Sequence, residues 1–310
     1  MSTEPWLAAL RLDATPGLGL RRCQVLTQAL GGCQEVLDAP DGLLRDVLGV
    51  RLWSLLRTAP PDWASRVQQV RAWLRAAPKG LRHAVLPWGT PAYPQVLYDL
   101  PDPPLLLFVA DAASGLDHGH WPKAVAVVGS RAATPQGVAL AHAWAQHLAD
   151  SGWCVISGLA HGIDAAAHRG ALCSEQALCT LAVMGTGPDR VYPSAHAELK
   201  RSIARHGRCV TEHVPGVGAR PWHFPRRNRL LAALSLGVVV VEADVASGSL
   251  ISAQCGRALG RVVMAVPGPV SSPLSRGCHA LLRQGALLVE HPDEVIAALT
   301  HFPASVGGAK

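Results

Sequence analysis

No G-x-G-x-x-G follows the first strong strand candidate of this 310-residue chain, and no acidic residue ends the second, which disfavours dinucleotide binding. The absence of G-x-x-x-x-G-K-[ST] excludes a P-loop ATPase. G-x-S-x-G and H-E-x-x-H are missing too, so neither a hydrolase elbow nor a zinc-protease helix is present despite fourteen histidines. The eight cysteines form no C-x-x-C pair, which argues against a zinc site or disulfide frame and for small core residues in a reducing compartment. No run of about 18 apolar residues offers a membrane span, and Met1–Trp6 shows no basic-then-apolar leader. These absences lead us to expect a cytoplasmic protein without metal or cofactor. A 49% hydrophobic and 16% charged composition still supplies a well-cored chain.

Positive charge is what the chain has in excess, at a net +6 carried mostly by arginine. Arg205, Arg208, Arg220, Arg226, Arg227 and Arg229 crowd one stretch against a single acid, Glu212. Such local clustering points to a polyanion partner more than the modest total does.

Three segments emerge along the chain, and a short tail at 301–310 follows them. Residues 1–77 read as a small all-α unit in which Thr15-Pro16-Gly17-Leu18-Gly19 links two helices. That is the pattern of a helix-hairpin-helix, whose turn amides can hold a phosphate, and equally of a turn inside a small bundle. Residues 78–122 are punctuated by proline and read as an extended connector, with one apolar run at Leu105–Val109 that could add a strand. From 123 to 300, strands alternate with helices, the signature of an α/β, doubly wound and mostly parallel Rossmann-like sheet.

The stretch Val125–Pro135 anchors this domain. Four small apolar residues, Val125–Val128, read as a strand covered on both faces. Gly129, Ser130 and Arg131 form the exit, and Thr134-Pro135 suits an N-cap and first helical position. Alone, this is as well a plain βα turn with a surface arginine. The later exits repeat the chemistry: Gly158 and Gly162 around His161, Gly185 with Tyr192 beyond it, and Ser247-Gly248-Ser249 at a helix start. Ligands of such sheets sit beyond the carboxyl ends of the strands. Several Gly- and Ser-rich exits on one edge therefore suggest a backbone-lined rim for phosphates. Asp164 is placed to cap its helix, and Glu242 to hold a backbone amide or an arginine, so neither is assigned a catalytic role.

V-A-V-V-G-S-R, S-G-L-A-H-G-I-D-A-A-A-H, V-M-G-T-G-P-D-R-V-Y-P, F-P-R-R-N-R, V-V-V-V-E-A-D-V-A-S-G-S-L-I-S-A and A-V-P-G-P, in this order between Tyr93 and Leu299, closely resemble the DprA (Smf) DNA-processing family. The resemblance implies a Rossmann-like, non-catalytic protein that binds and shields single-stranded DNA in natural transformation and loads the recombinase RecA. It also implies a sterile-alpha-motif-type helical N-terminal domain and a homodimer built through the C-terminal part of the Rossmann-like domain. Three positions depart from the family pattern: His161 stands where Arg is usual, His196 where Asn is usual, and Ser252 where Thr is usual. With only a short tail after the last helix, we expect no counterpart of the family's C-terminal winged helix.

The physical reading and the resemblance meet on the same residues. Arg131 can grip phosphate bidentately. Phe224, one of only three phenylalanines, suits base stacking, or else anchors its loop in the core. On a helix Arg226 and Arg229 share a face while Arg227 is turned about 100° away. We expect two of the three to touch DNA beside Asn228, and the third to pair with an acid such as Glu242 or Asp244. The competing reading is a Rossmann-like enzyme that hydrolyses nucleoside monophosphates. Its P-G-G-x-G-T-x-x-E loop is replaced here by A-D-V-A-S-G-S-L-I-S-A, without the double Gly or the Glu.

Overall fold

The computed structural model describes residues 4–113 and 117–301. The expected tail therefore lies, from 302 on, outside the described residues. Five helices open the chain: α1 (Trp6–Asp13), α2 (Leu20–Leu30), α3 (Cys33–Asp38), α4 (Asp41–Arg57) and α5 (Trp63–Arg75).

The proline-rich stretch is more than a connector. It holds β1 (Leu81–Pro87) and β2 (Leu106–Ala112), an antiparallel pair whose second strand also pairs antiparallel with β6 (Arg208–Thr211). Its prolines permit this because Pro87 closes β1 and those at 91, 94, 101, 103 and 104 fall in the intervening loop, so no ladder donor is lost mid-strand.

The parallel part comprises β3 (Ala124–Val128), β4 (Cys154–Ser157), β5 (Thr180–Val183), β6, β7 (Gly237–Val240), β8 (Val262–Ala265) and β9 (Leu287–Leu288). The nine strands run in the order β1-β2-β6-β5-β4-β3-β7-β8-β9. Pairing thus proceeds from β3 outward in both directions, and the topological switch point lies between β3 and β7.

Helices cover both faces: α6 (Pro135–Asp150), α7 (Ile163–Ala171), α8 (Ala197–His206), α9 (His223–Ala233), α10 (Ser249–Ala258), α11 (Arg276–Arg283) and α12 (Pro292–His301). All five residues of β3 are buried, as an apolar run in a parallel sheet requires. Val125 and Val127 join one core with Trp144 and Leu148 of α6; Ala124, Ala126 and Val128 join the other with Leu230 and Leu231 of α9.

That second core continues into the N-terminal helices, taking in Trp6, Leu10 and Val70. Trp73 of α5 stacks on His83 of β1 at 4.3 Å and meets Phe108 of β2 edge-on at 5.7 Å. Aromatic pairs of this kind contribute about 0.5–1.5 kcal/mol beyond their buried area. Among the described residues no helix is long and apolar enough to cross a membrane.

Candidate nucleic-acid interface

At the switch point, the loops leaving β3 and β7 are tied together. Ser130 N–H donates to the carbonyl of Glu242 at 2.7 Å. The Glu242 carboxylate accepts from Thr134 N at 2.8 Å and from Thr134 Oγ1 at 2.6 Å. Thr134 Oγ1 in turn accepts from Gly137 N at 2.9 Å, the expected N-cap of α6. Glu242 thus holds a backbone amide, as expected, and both its oxygens are spent on positioning.

The β4 exit is held by two buried charged side chains, Asp164 on its amides and Arg227 on its carbonyl. Asp164 was expected to cap α7; it sits instead in the first turn behind Gly162 and Ile163. Its Oδ2 accepts from the amides of Gly158 at 3.1 Å and Ala160 at 3.4 Å, so it shapes the loop rather than the helix end. Burial pushes the Asp164 carboxyl up, against the opposing pull of Arg227 and the loop amides. Arg227 Nη1 donates to Gly158 O at 2.7 Å and to Val183 O, and Nε donates to Asn228 Oδ1 at 3.1 Å. Burial presses the Arg227 guanidinium down to about 10 even with Asp164 nearby. Glycine is required at two points here. A Cβ on Gly158 would lie 2.3 Å from the Arg227 guanidinium, and one on Gly162 would lie 2.2 Å from Ser130 O at a φ of +71°.

The arginine-rich stretch is not one patch in space. Arg208 opens β6 at the opposite end of the strand and pairs with Asp111 at 3.0 Å, buried. Arg226 and Arg229 do share a face and Arg227 does point elsewhere. The acid they meet, however, is Glu212 rather than Glu242 or Asp244: Arg229 Nη2 donates to it at 2.5 Å, and Arg226 Nε lies 3.5 Å away. Arg229 also reaches Asp102 at 3.3 Å. Charge order along the chain misled because α9 is packed into the core, so only Arg226 of the three is exposed. Arg227 and Arg229 are buried, Arg227 on backbone carbonyls and Arg229 against Glu212.

What the rim presents outward is compact. Exposed Arg131 places its guanidinium 5.5 Å from the Phe224 ring. Phe224 is half-buried, with exposed Tyr192 tilted against it at 5.1 Å and Gly185 beneath. Exposed His161 adjoins them, its ring edge-on to buried His196 at 4.8 Å. Behind this group a cleft of about 500 Å³ opens at the switch point, bounded by Gly129, Ser130, Arg227, Asn228 and the start of α10. There Asn228 Nδ2 donates to Gly248 O at 3.1 Å, and the Ser247 and Ser249 hydroxyls bond each other at 2.7 Å. Every residue the sequence nominated at the β3, β4, β5 and β7 exits therefore comes to one edge. Sequence reasoning missed how the β4 exit is clamped, with Asp164 on its amides and Arg227, from a different segment, on its carbonyl. It also missed exposed Trp222 beside Arg220.

A family model described as DNA recombination-mediator protein A matches residues 84–300. The chain belongs to this family. Among its relatives, DNA processing protein DprA of Streptococcus pneumoniae is 42% identical over 66% of this chain and 70% of its own length. A putative DNA processing protein DprA of Mycobacterium tuberculosis is 49% identical over 60% of this chain, which spans only 47% of that relative. The X-ray structure of the Streptococcus pneumoniae DprA superimposes with a TM-score of 0.76 at 32% identity, covering 96% of this chain and 98% of that one. Helicobacter pylori DNA processing protein A, described for its single-stranded DNA binding mode, gives a TM-score of 0.62 at 28% identity over 71% of this chain and 96% of its own. The family's fold, an α/β sheet preceded by helices, is thus the fold seen here.

Proposed function

We propose that this chain is a non-catalytic, cytoplasmic single-stranded-DNA-binding protein that shields incoming DNA and loads RecA recombinase onto it during natural transformation. The observation that carries the reading is the Arg131–Phe224 pair at the mouth of the switch-point cleft. A free guanidinium grips phosphate while the ring beside it stacks a base, the two elements of single-strand binding. The amides and hydroxyls of Gly129, Ser130, Gly158, Gly162, Gly185 and Ser247–Ser249 add uncharged donors along the same edge. His161 stands where a charge on the strand would pass, and Arg226 adds an exposed cation. Arg227, Asn228 and Arg229 support the rim from within. The spent carboxylates of Asp164 and Glu242 favour binding over hydrolysis.

The relatives' names support the DNA-processing role, and the Helicobacter pylori protein supports single strands as the ligand. We place a homodimer at the C-terminal end of the sheet, where β9 is a two-residue edge with Leu287 and Leu288 exposed. Fluorescence anisotropy with single- and double-stranded oligonucleotides tests the reading, which expects clear preference for single strands. Equal affinity for both would remove it.

A further inference from the structure

Beyond the start of α9 lies a second cleft of about 540 Å³, which shares only Arg226 with the single-strand site. Glu212 lies in its wall with a side chain only 6% exposed, and its Oε1 has no hydrogen-bond partner. Arg226 Nε stands off from that oxygen at 3.5 Å, beyond ordinary N–H···O length. Nearby His213, its ring tilted against that of His223 at 4.1 Å, also buries an unpartnered Nε2. Asp13 at the end of α1 also lines the cleft. At the lip, Trp222 is 60% exposed, with the Arg220 guanidinium 5.4 Å from its ring.

These groups select among ligands. The unpartnered Glu212 Oε1 and the Asp13 carboxylate call for N–H donors. The open indole offers a π face, and Arg220 at the rim suits an anion outside. A flat ring with an edge amino group and an attached phosphate meets all three demands. Trp222 and Phe224 are two residues apart at a helix start, so their side chains diverge by about 200° around the axis. One strand crossing the α9 N-terminus would meet both.

We propose that this cleft is a second base subsite, in which Trp222 stacks one nucleobase of the single strand held at Phe224 and Glu212 Oε1 accepts from its exocyclic amine. Cytosine and adenine carry that amine; thymine presents a carbonyl oxygen in its place. The chain therefore binds oligo(dC) more tightly than oligo(dT). The proposal rests on the single-strand reading and specifies its base preference.

The test titrates the full chain, wild type and variants, with oligo(dC), oligo(dT) and an abasic oligonucleotide of equal length. Trp222→Ala is expected to weaken oligo(dC) binding by roughly 5- to 150-fold, with unchanged salt dependence, and Trp222→Phe to restore most of it. The abasic strand should bind Trp222→Ala and wild type alike. Glu212→Gln, checked for a native melting profile, should abolish the dC-over-dT preference. Trp222→Ala binding oligo(dC) as tightly as wild type, while Arg131→Ala is impaired, would overturn the subsite and leave the single-strand reading standing. Loss on the abasic strand as well, or tighter binding of oligo(dT), would also overturn it.

Discussion

Replacing Arg227 with Ala separates a structural clip from a DNA contact. The guanidinium ties Gly158 O at the β4 exit to Val183 O at the end of β5, and its charge opposes the desolvation of buried Asp164. Removing it leaves two carbonyls without a charged donor, each such bond contributing about 1.5–3 kcal/mol. It also strands a buried carboxylate. Losing both charged bonds costs about 3–5 kcal/mol, a large share of the roughly 5–15 kcal/mol that holds most domains folded. With an m-value of about 2–3 kcal/mol/M, the urea midpoint should fall by roughly 1–2.5 M. Arg227→Lys should recover only part, since an ammonium cannot fork between two carbonyls while also reaching Asn228. The assay is urea unfolding followed by circular dichroism, beside DNA titration under native conditions. An Arg227→Ala protein with an unchanged midpoint and weakened DNA binding would refute the reasoning and make Arg227 a ligand residue.

Phe224→Ala should weaken single-strand binding by about 1–3 kcal/mol while the salt dependence stays unchanged, as titrations at several salt concentrations would show. His168, fully buried against Thr180 Oγ1 at 2.7 Å, is held down at about 3 by burial, with Arg227 adding to the effect. It stays neutral in the fold while the unfolded chain takes up a proton below about pH 6.5, so stability should fall by about 1.4 kcal/mol per pH unit from there toward pH 3. His168→Gln should remove that part of the slope in urea unfolding at stepped pH. Deleting residues 1–77 takes Trp73 from His83 and Phe108 and opens the shared core. Circular dichroism melting of the shortened chain should therefore show a lower, broader transition. Incubation with nucleoside monophosphates should release no free base.

The alternating half of the fold was legible because β3 to β7 are short, fully buried runs with Gly- and Ser-rich exits among them; Cys154–Ser157 was placed to the residue. The α6 cap was legible for the same reason, as Thr134, Pro135 and Gly137 act within one turn. In the hairpin, β2 was foreshadowed by the apolar run Leu105–Val109, whereas β1 was not, since Leu81–Pro87 is only half-buried along most of its length and shows no clean alternation. At the site, exposed residues beside glycine, such as Arg131, were readable from local chemistry alone. The partners of Arg227 and Arg229 were not. Their carbonyl and carboxylate acceptors come from β4, β5 and the β6 exit, brought near only by the sheet order. A run of arginines along the chain says nothing of which one the core claims.

Arg131→Ala measured on a single-stranded oligonucleotide across several salt concentrations tests the central claim most directly. Arg131 is exposed and its guanidinium lies over Phe224, so the fold should be untouched by its loss. The account predicts weaker binding of all sequences alike and a salt slope, d log K/d log[salt], smaller in magnitude by about 0.7. Binding as tight as wild type, with the same slope, would show that the strand-exit rim is not where DNA sits.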